Sequence, residues 1–356
     1  MILHLTEACG AGVARHLALL LPALRKRGVS VALLLYGNRF DRNLPAQVEH
    51  LRAEGVLVFE RPCRHPLLEG RMILRSVCRE IKPALIHAHA FKAGWTARLS
   101  GCAPVCYSPH AFASSSAIPW VLRKGAMCAE RLLMPRTRAW IFVHPAEDTL
   151  GCPAERSFVV PNGIPAIHPL SREEARRLLG IPLEERTIAA PCRLVPQKNL
   201  FVLLDALALL PPKIVLRIYG SGPLRNALLE YASRKNLASR LFLHEETGDF
   251  PQKMSAFDTV VLPSLYEGCS YVLLEGLAAG VPVVASEIPA NHLTTATDRI
   301  IHYFPPKDAS QLVTAIQEAL DTAPLPIRPF TLDAQADALA TLYRQWEKHG
   351  TSGMIE

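Results

Sequence analysis

Thirteen short runs rich in Val, Ile and Leu, none longer than eight residues, alternate with helical patterns along this 356-residue chain. A continuously apolar strand has to be covered on both faces, which a parallel sheet flanked by helices provides. The strands are predicted at 2–6, 29–36, 56–59, 85–89, 105–109, 140–144 and 157–161 in the first half. In the second they fall at 187–193, 214–219, 241–244, 259–263, 281–286 and 300–304. Between them, Leu224, Ala227, Leu228 and Tyr231 follow the i, i+3, i+4, i+7 spacing of an amphipathic helix, and Leu312, Ala315, Ile316 and Leu320 nearly repeat it. The capping box Ser171-Arg172-Glu173-Glu174 opens a helix at Arg172. Just before it, Gly163, Pro165 and Pro169 break the pattern, so 163–169 reads as a linker. The expected fold is α/β, with two doubly wound Rossmann-like domains at 1–165 and 166–330 facing a central cleft. A last helix within 331–356, beyond the connector of Pro324, Pro326 and Pro329, is expected to pack back on the first domain.

Hydrophobic residues make up 49% of the chain and charged ones 20%, which excludes wholesale disorder. No apolar run reaches the ~18 residues of a bilayer span; the longest candidate, 17–24, is stopped by Arg25, Lys26 and Arg27. The start Met1-Ile2-Leu3-His4 carries the expectation of no secretory signal. Nine scattered cysteines without Cys-x-x-Cys carry that of reduced thiols in the cytoplasm.

The net charge of +7 is uneven: residues 1–165 hold 21 Lys and Arg against 11 Asp and Glu, and residues 166–356 hold 18 against 21. A basic first half points to an anionic partner, whether lipid headgroups, a phosphorylated substrate or nucleic acid. Arg71, Arg75 and Arg79 recur every four residues as a basic helix ridge, and Trp120, Val121 and Leu122 stand beside Arg123 and Lys124. Both segments suit an anionic membrane surface, or else a solvated face and an ordinary core helix. Nucleic acid ranks last, because no single element interleaves aromatic and basic residues.

Ligands of such sheets bind beyond the carboxyl ends of the strands. After the first strand, Gly10-Ala11-Gly12 leads into a helix, which reads either as a phosphate cradle or as a plain tight turn. Arg15 stands where a dinucleotide fingerprint needs a third glycine, and Gly37-Asn38-Arg39 lacks its acidic residue, so a nicotinamide cofactor is not expected. His87 and His89 end one strand and His110 the next, but no carboxylate or Cys stands at ligand spacing, so no metal is expected. His110 sits where a donor to a reacting oxygen would be useful. Arg193 and Lys198 share one loop and can neutralise a departing diphosphate, or else form an exposed turn. Glu267 and Glu275 bracket a Gly-containing turn and the start of a helix. Glu275 interrupts an apolar stretch and needs a partner, either sugar or ribose hydroxyls or a base such as Lys198 or Arg193.

These elements, in this order, resemble the retaining glycosyltransferases of family 4, with the GT-B fold. The resemblance runs through Val160-Pro161-Asn162-Gly163-Ile164, Arg193 with Lys198, Tyr219-Gly220-Ser221-Gly222-Pro223, the two glutamates with seven residues between them, and Ala278-Ala279-Gly280-Val281-Pro282. It implies catalytic roles for His110, Arg193, Lys198 and Glu267. It also implies donor contacts from Gly10, Gly12, Gly220, Gly268, Cys269, Ser270, Tyr271 and Glu275, with Glu275 on the ribose. The family uses no catalytic metal and no separate cofactor; a nucleotide diphosphate sugar is the donor. The sequence departs from the pattern at Ala11, at Pro165 where Asp is usual, at Ser270-Tyr271, and at His144-Pro145 where a strand usually ends in Ser.

The resulting expectation is transfer of a hexose from a nucleotide diphosphate sugar to a saccharide or lipid-linked saccharide in envelope polysaccharide synthesis. The first domain would take the acceptor and the second the donor. The protein would be cytoplasmic, with a peripheral place on the inner face of the plasma membrane. The alternatives are a nucleotide-sugar 2-epimerase of the same fold and a non-catalytic, membrane-associated partner of a polysaccharide complex.

Overall fold

A computed structural model describes residues 1–8, 11–37, 44–110, 120–148, 150–245 and 248–348. It contains all thirteen expected strands: β1 (Ile2–Thr6), β2 (Val31–Gly37), β3 (Leu57–Pro62), β4 (Leu85–His89), β5 (Val105–Ser108), β6 (Ala139–Phe142), β7 (Ser157–Val159), β8 (Arg186–Pro191), β9 (Ile214–Tyr219), β10 (Leu241–His244), β11 (Thr259–Leu262), β12 (Val283–Ser286) and β13 (Ile301–Phe304). The helices are α1 (Ala11–Lys26), α2 (Leu44–Ala53), α3 (Pro66–Ile81), α4 (Phe91–Ser100), α5 (Trp120–Leu133), α6 (Arg172–Leu179), α7 (Leu200–Leu209), α8 (Arg225–Arg234), α9 (Phe250–Lys253), α10 (Tyr271–Ala278), α11 (Ala309–Leu320) and α12 (Leu332–Lys348). They form two compact units. The first joins Met1–Pro165 to Phe330–Glu356, and the second is Ala166–Pro329.

The first unit is a seven-stranded parallel sheet in the order β3-β2-β1-β4-β5-β6-β7. Strand alternation sends Ile2, Val31, Leu33 and Leu85 to one face, where they pack on Leu17, Leu20, Leu21 and Leu24 of α1. Ala336, Leu339, Ala340 and Tyr343 of α12 complete that core. Leu3, Leu5, Leu34 and Ile86 point the other way, onto Leu74 and Val77 of α3 and Ala93 and Ala97 of α4.

The breaker-rich segment departs from a simple linker. Gly163 and Ile164 are buried in the first unit and stitched to the returning chain. Ile164 N–H reaches Phe330 O at 3.3 Å, Leu332 N–H reaches Ile164 O at 2.9 Å, and Gly163 N–H reaches Gln335 Oε1 at 3.0 Å. A Cβ on Gly163 would stand 2.2 Å from the Thr331 carbonyl oxygen, so glycine is required there by close approach.

The second unit is a six-stranded parallel sheet in the order β10-β9-β8-β11-β12-β13. Ser171 caps α6 as its sequence suggests, its hydroxyl accepting from Glu174 N–H at 3.2 Å. The guanidinium of Arg176 on the same helix is fully buried. It donates to the carbonyls of Ala256, Pro182 and Leu183 and pairs with Asp258 at 3.2 Å.

Because Leu339 is 1% exposed within the first core, Leu339→Ala should lower the free energy of unfolding by about 2–5 kcal/mol. The urea midpoint measures this, and an unshifted midpoint would mean that α12 contributes nothing to the core.

Candidate functional site

Each sheet reverses its strand order once, between β1 and β4 in the first unit and between β8 and β11 in the second. Open α/β sheets bind ligands beyond the carboxyl ends of the strands at such switch points. The chemistry-bearing residues of each unit lie there.

In the second unit the loop after β8 carries Arg193 and closes in a short turn, Pro196–Lys198. The loop after β11 carries Glu267. Lys198 Nζ donates to Glu267 Oε1, and both side chains are mostly buried. Backbone bonds hold the two loops together: Leu265 N–H reaches Gln197 O at 2.9 Å, and Gln197 Nε2 donates to Tyr266 O at 2.8 Å. Arg193 is exposed and makes no ion pair among the described residues. The base expected for Glu275 among the alternatives, Lys198, is therefore taken by Glu267.

Gly220 and Gly222 let the loop after β9 lie against the Arg193 loop. A Cβ on Gly220 would stand 2.1 Å from Cys192 O, and one on Gly222 would stand 2.5 Å from Leu194 O. Their φ angles of 152° and 156° also favour glycine. Leu194 N–H bonds Ser221 O at 2.9 Å, so strand pairing continues past the formal ends of β8 and β9.

Ser270 caps α10, its hydroxyl accepting from Leu273 N–H at 3.4 Å. Cys269 and Tyr271 are buried. Gly268 is half-buried, and Glu275 is buried on α10. Ser286 Oγ at the end of β12 donates to Ser264 O at 2.6 Å and braces the start of the Glu267 loop.

The first unit gathers five histidines from four separate places in the chain. His4 lies on β1, His16 on α1, His87 and His89 on β4, and His110 just past β5. The register pairs His4 with His87 and Thr6 with His89 across β1 and β4. His4, His87 and His89 thus share the face that holds Ile2 and Leu85 lower in the sheet. His4 Nδ1 and His89 Nε2 are 3.0 Å apart, and so are His89 Nδ1 and His110 Nε2. His16 Nδ1 donates to Asn162 Oδ1 at 3.0 Å. His87 bonds Tyr343 OH of α12 through Nδ1 and, at 2.9 Å, Ser108 Oγ through Nε2. Nitrogens of His4, His87 and His89, and of His16, His89 and His110, lie within 4.8 Å of one another, a spacing that also suits a metal ion. Spacing along the chain hides this convergence. The parity of the strands was the signal that could have found His4, and the motif around Asn162 marked that residue without its partner, while nothing in the sequence marked His16 or Tyr343.

His110 is half-buried and has a left-handed backbone with φ 53°. A non-glycine residue holds that conformation only where its surroundings impose it. Gly12 lies in the first turn of α1, with nothing among the described residues within 4 Å of where a Cβ would stand. Gly10 lies outside the described residues, as do Asn38, Arg39 and residues 111–119. Glu7, directly after β1, accepts from Ala93 N–H at 3.1 Å, and burial holds its carboxyl above the usual range.

Residues 10–166 match a family model described as Glycosyltransferase Family 4, and residues 185–322 match one described as Glycosyl transferases group 1. Over 255 residues the chain is 30% identical to the UDP-Gal:alpha-D-GlcNAc-diphosphoundecaprenol alpha-1,3-galactosyltransferase of Escherichia coli. That alignment covers 63% of this chain and 63% of the relative, so the chain spans just under two thirds of the relative's length. Among solved structures, sucrose-phosphate synthase from Thermosynechococcus elongatus superposes with a TM-score of 0.82 at 19% identity, covering 97% of this chain and 98% of that one. Anabaena Alr3699/HepE in complex with UDP and glucose superposes with a TM-score of 0.78 at 21% identity, covering 96% and 99%. At these identities the two structures speak to the fold alone.

Burial drives the imidazole of His4 down to about 3, with His16 adding to the effect, and that of His16 down to about 4 against the opposing pull of its bond to Asn162. Burial, with the neighbouring histidines, also holds His87, His89 and His110 well below the ordinary value. Unfolded histidines take up protons near pH 6.5, so below that pH the unfolded chain binds protons that the fold excludes. Stability is therefore complete above pH 6.5 and falls as the pH drops toward 4, by about 1.4 kcal/mol per pH unit for each excluded proton. Urea midpoints from pH 7 to pH 5 should decline, and His16→Gln should flatten the slope by about that amount. A midpoint that stays level over this range would contradict a buried neutral cluster.

Proposed function

This chain belongs to glycosyltransferase family 4, and we propose that it moves a hexose from a nucleotide diphosphate sugar to a hydroxyl, with retention at the anomeric carbon. The observation that carries this reading is the Lys198–Glu267 pair, held on the two loops that flank the β8/β11 switch point, with Arg193 exposed on the first of them. Without ligand, the two charges neutralise one another. A bound diphosphate offers Lys198 a second anionic partner and releases Glu267 Oε1 to accept from a sugar hydroxyl. As the bond from the anomeric carbon to the diphosphate breaks, negative charge builds on the leaving oxygens. Arg193 and Lys198 stabilise that charge as fixed donors. In this reading Glu275 takes the ribose, the backbone from Gly268 to Tyr271 takes sugar oxygens, and Gly220 keeps the neighbouring loop close. On the first unit, Gly12 is proposed to admit a phosphate and His110 to meet a ligand oxygen.

The E. coli relative is named for a UDP-Gal donor and a diphosphoundecaprenol-linked acceptor, and the HepE structure holds UDP and glucose. UDP-hexoses are therefore the donors to test first, and a lipid-linked saccharide is the proposed acceptor. The charge of the first unit supports an anionic surface as its partner. Residues 1–165 with 330–356 carry 23 Lys and Arg against 15 Asp and Glu. In that unit α5 is anchored on one side by the buried ion pair of Arg98 and Glu130 at 2.8 Å. It leaves Trp120, Val121, Leu122 and Leu132 exposed beside Arg123 and Lys124. α3 likewise exposes Leu68 and Met72 beside Arg71 and Arg79. Such helices seat their apolar residues among anionic headgroups. No helix among the described residues is long and apolar enough to cross a membrane.

Lys198→Ala and Glu267→Ala should fold normally and turn over UDP-hexose about 10²-fold more slowly. Full turnover by Lys198→Ala would defeat the assignment, and release of free nucleotide without any acceptor would favour the epimerase. The protein should sediment with phosphatidylglycerol vesicles at about 50 mM salt and be released by about 0.5 M. Binding that ignores salt, or no binding at all, would remove the membrane from the reading.

A further inference from the structure

His4, His89 and His110 form a line of three hydrogen-bonded imidazoles that runs from the interior of the sheet to its carboxyl edge. His4 and His89 are fully buried and His110 is half-buried. The two links, His4 Nδ1 to His89 Nε2 and His89 Nδ1 to His110 Nε2, are each 3.0 Å long. Each link needs one proton between its two nitrogens, and each neutral ring carries one proton, so the three tautomers are tied together.

Only two arrangements satisfy both links. In one, every ring is protonated on Nε2, and His4 Nε2–H then points into the interior. His4 Nε2 is buried and has no hydrogen-bond partner. In the other, every ring is protonated on Nδ1, and His4 Nε2 is left as an idle lone pair. An orphaned buried N–H is rarer than an under-used acceptor, which selects the second arrangement. His4 Nδ1–H then donates to His89 Nε2, and His89 Nδ1–H donates to His110 Nε2. His110 is left with its own proton on Nδ1, which has no partner among the described residues.

We propose that His89, fixed in one tautomer because the line ends in a buried and unpartnered nitrogen at His4, is a positioning residue that locks His110 in the Nδ1–H tautomer, so that His110 presents a neutral N–H donor, and never a bare acceptor, to a ligand oxygen. The left-handed backbone of His110 and the edge-on contact of its ring with His16, at 4.7 Å between centroids, hold the ring in place for this. The identity of that oxygen as a sugar oxygen rests on the glycosyltransferase reading; the tautomer does not.

Two measurements separate these points. In full-length protein labelled with 15N-histidine, nitrogen shifts at pH 7.5 should show Nδ1 protonated and Nε2 bare on His4, His89 and His110. His89→Phe should abolish that single state for His110. It should also lower kcat with UDP-hexose by about tenfold or more while leaving KM for the donor within about twofold. His89→Asn, whose amide N–H can stand where Nδ1–H stood, should restore both readouts. Should His89→Phe not fold, His89→Ser likewise leaves His110 Nε2 without its donor and should release the His110 tautomer, whereas His4→Phe only passes the idle lone pair to His89 Nε2 and should leave it locked. His110 protonated on Nε2 in the wild type, or an unchanged His110 tautomer in the folded His89→Phe or His89→Ser variant, would overturn the proposal. The locked tautomer together with full turnover by His110→Ala would instead refute the placement of His110 at the sugar and leave the lock standing.

Discussion

Both sheets are sealed on two faces by helices, so a polar side chain inside either unit must find its partner within the fold. The strand bodies obey this by being apolar. On the strands of the first unit the buried polar residues enter from mid-strand toward the carboxyl ends: His4 and Thr6 on β1, His87 and His89 on β4 and Ser108 on β5. Leaving one such group unpaired costs roughly 1–3 kcal/mol. The histidines escape most of that cost by bonding one another and the hydroxyls of Ser108 and Tyr343. Because Ile2, His4 and Thr6 alternate onto one face, the core under α1 and α12 passes from aliphatic to imidazole without a change of element. Mutual hydrogen bonding among neutral rings is the interaction on which that end of the first unit depends.

The second unit meets the same constraint with charge. Lys198 and Glu267 keep 17% and 12% of their side-chain surface exposed, which spares them the full desolvation cost of a buried ion pair. Their loops are held by the backbone bond of Leu265 to Gln197, by the side chains of Gln197 and Ser286, and by the close approach that the glycines at 220 and 222 allow. Charges that are to exchange partners are best carried on loops whose main chain does not move when they do. One unit thus gathers hydrogen-bonded imidazoles and the other an ion pair, two different ways of keeping polar groups at the edge of an apolar sheet.

Much of this was legible in the sequence because it is local. Apolar runs bounded by breakers located every strand, and Ser171 with Glu174 located the start of α6. The glutamate pair and the cations of the β8 loop were visible because each lies on one short segment. What could not be read is what depends on register and on distant return. His4 meets His87 only because β1 and β4 are neighbours across a crossover, and Gly163 is buried only because Thr331 comes back to it. Gly163 with Pro165 and Pro169 is a breaker pattern in either case. Local composition cannot tell a hinge from a glycine that makes room for another chain segment.

That return has an energetic logic. The second unit is inserted between Pro165 and Phe330, so α12 closes contacts over very long separations: 256 residues from His87 to Tyr343 and 310 from Arg27 to Asp337. Loop-closure entropy grows only with the logarithm of length, about 0.6 kcal/mol per doubling. Lengthening the loop by the 164 residues of Ala166–Pro329 therefore costs little beside the burial of Leu339 and Tyr343, each worth roughly 1.5–3 kcal/mol. Hydrophobic burial brings the helix home, and the hydroxyl of Tyr343 arrives with it to satisfy His87, whose ring packs beside those of His4 and His89. The apolar side of α12 thus sets its place, and the polar atom it delivers is specified by that place.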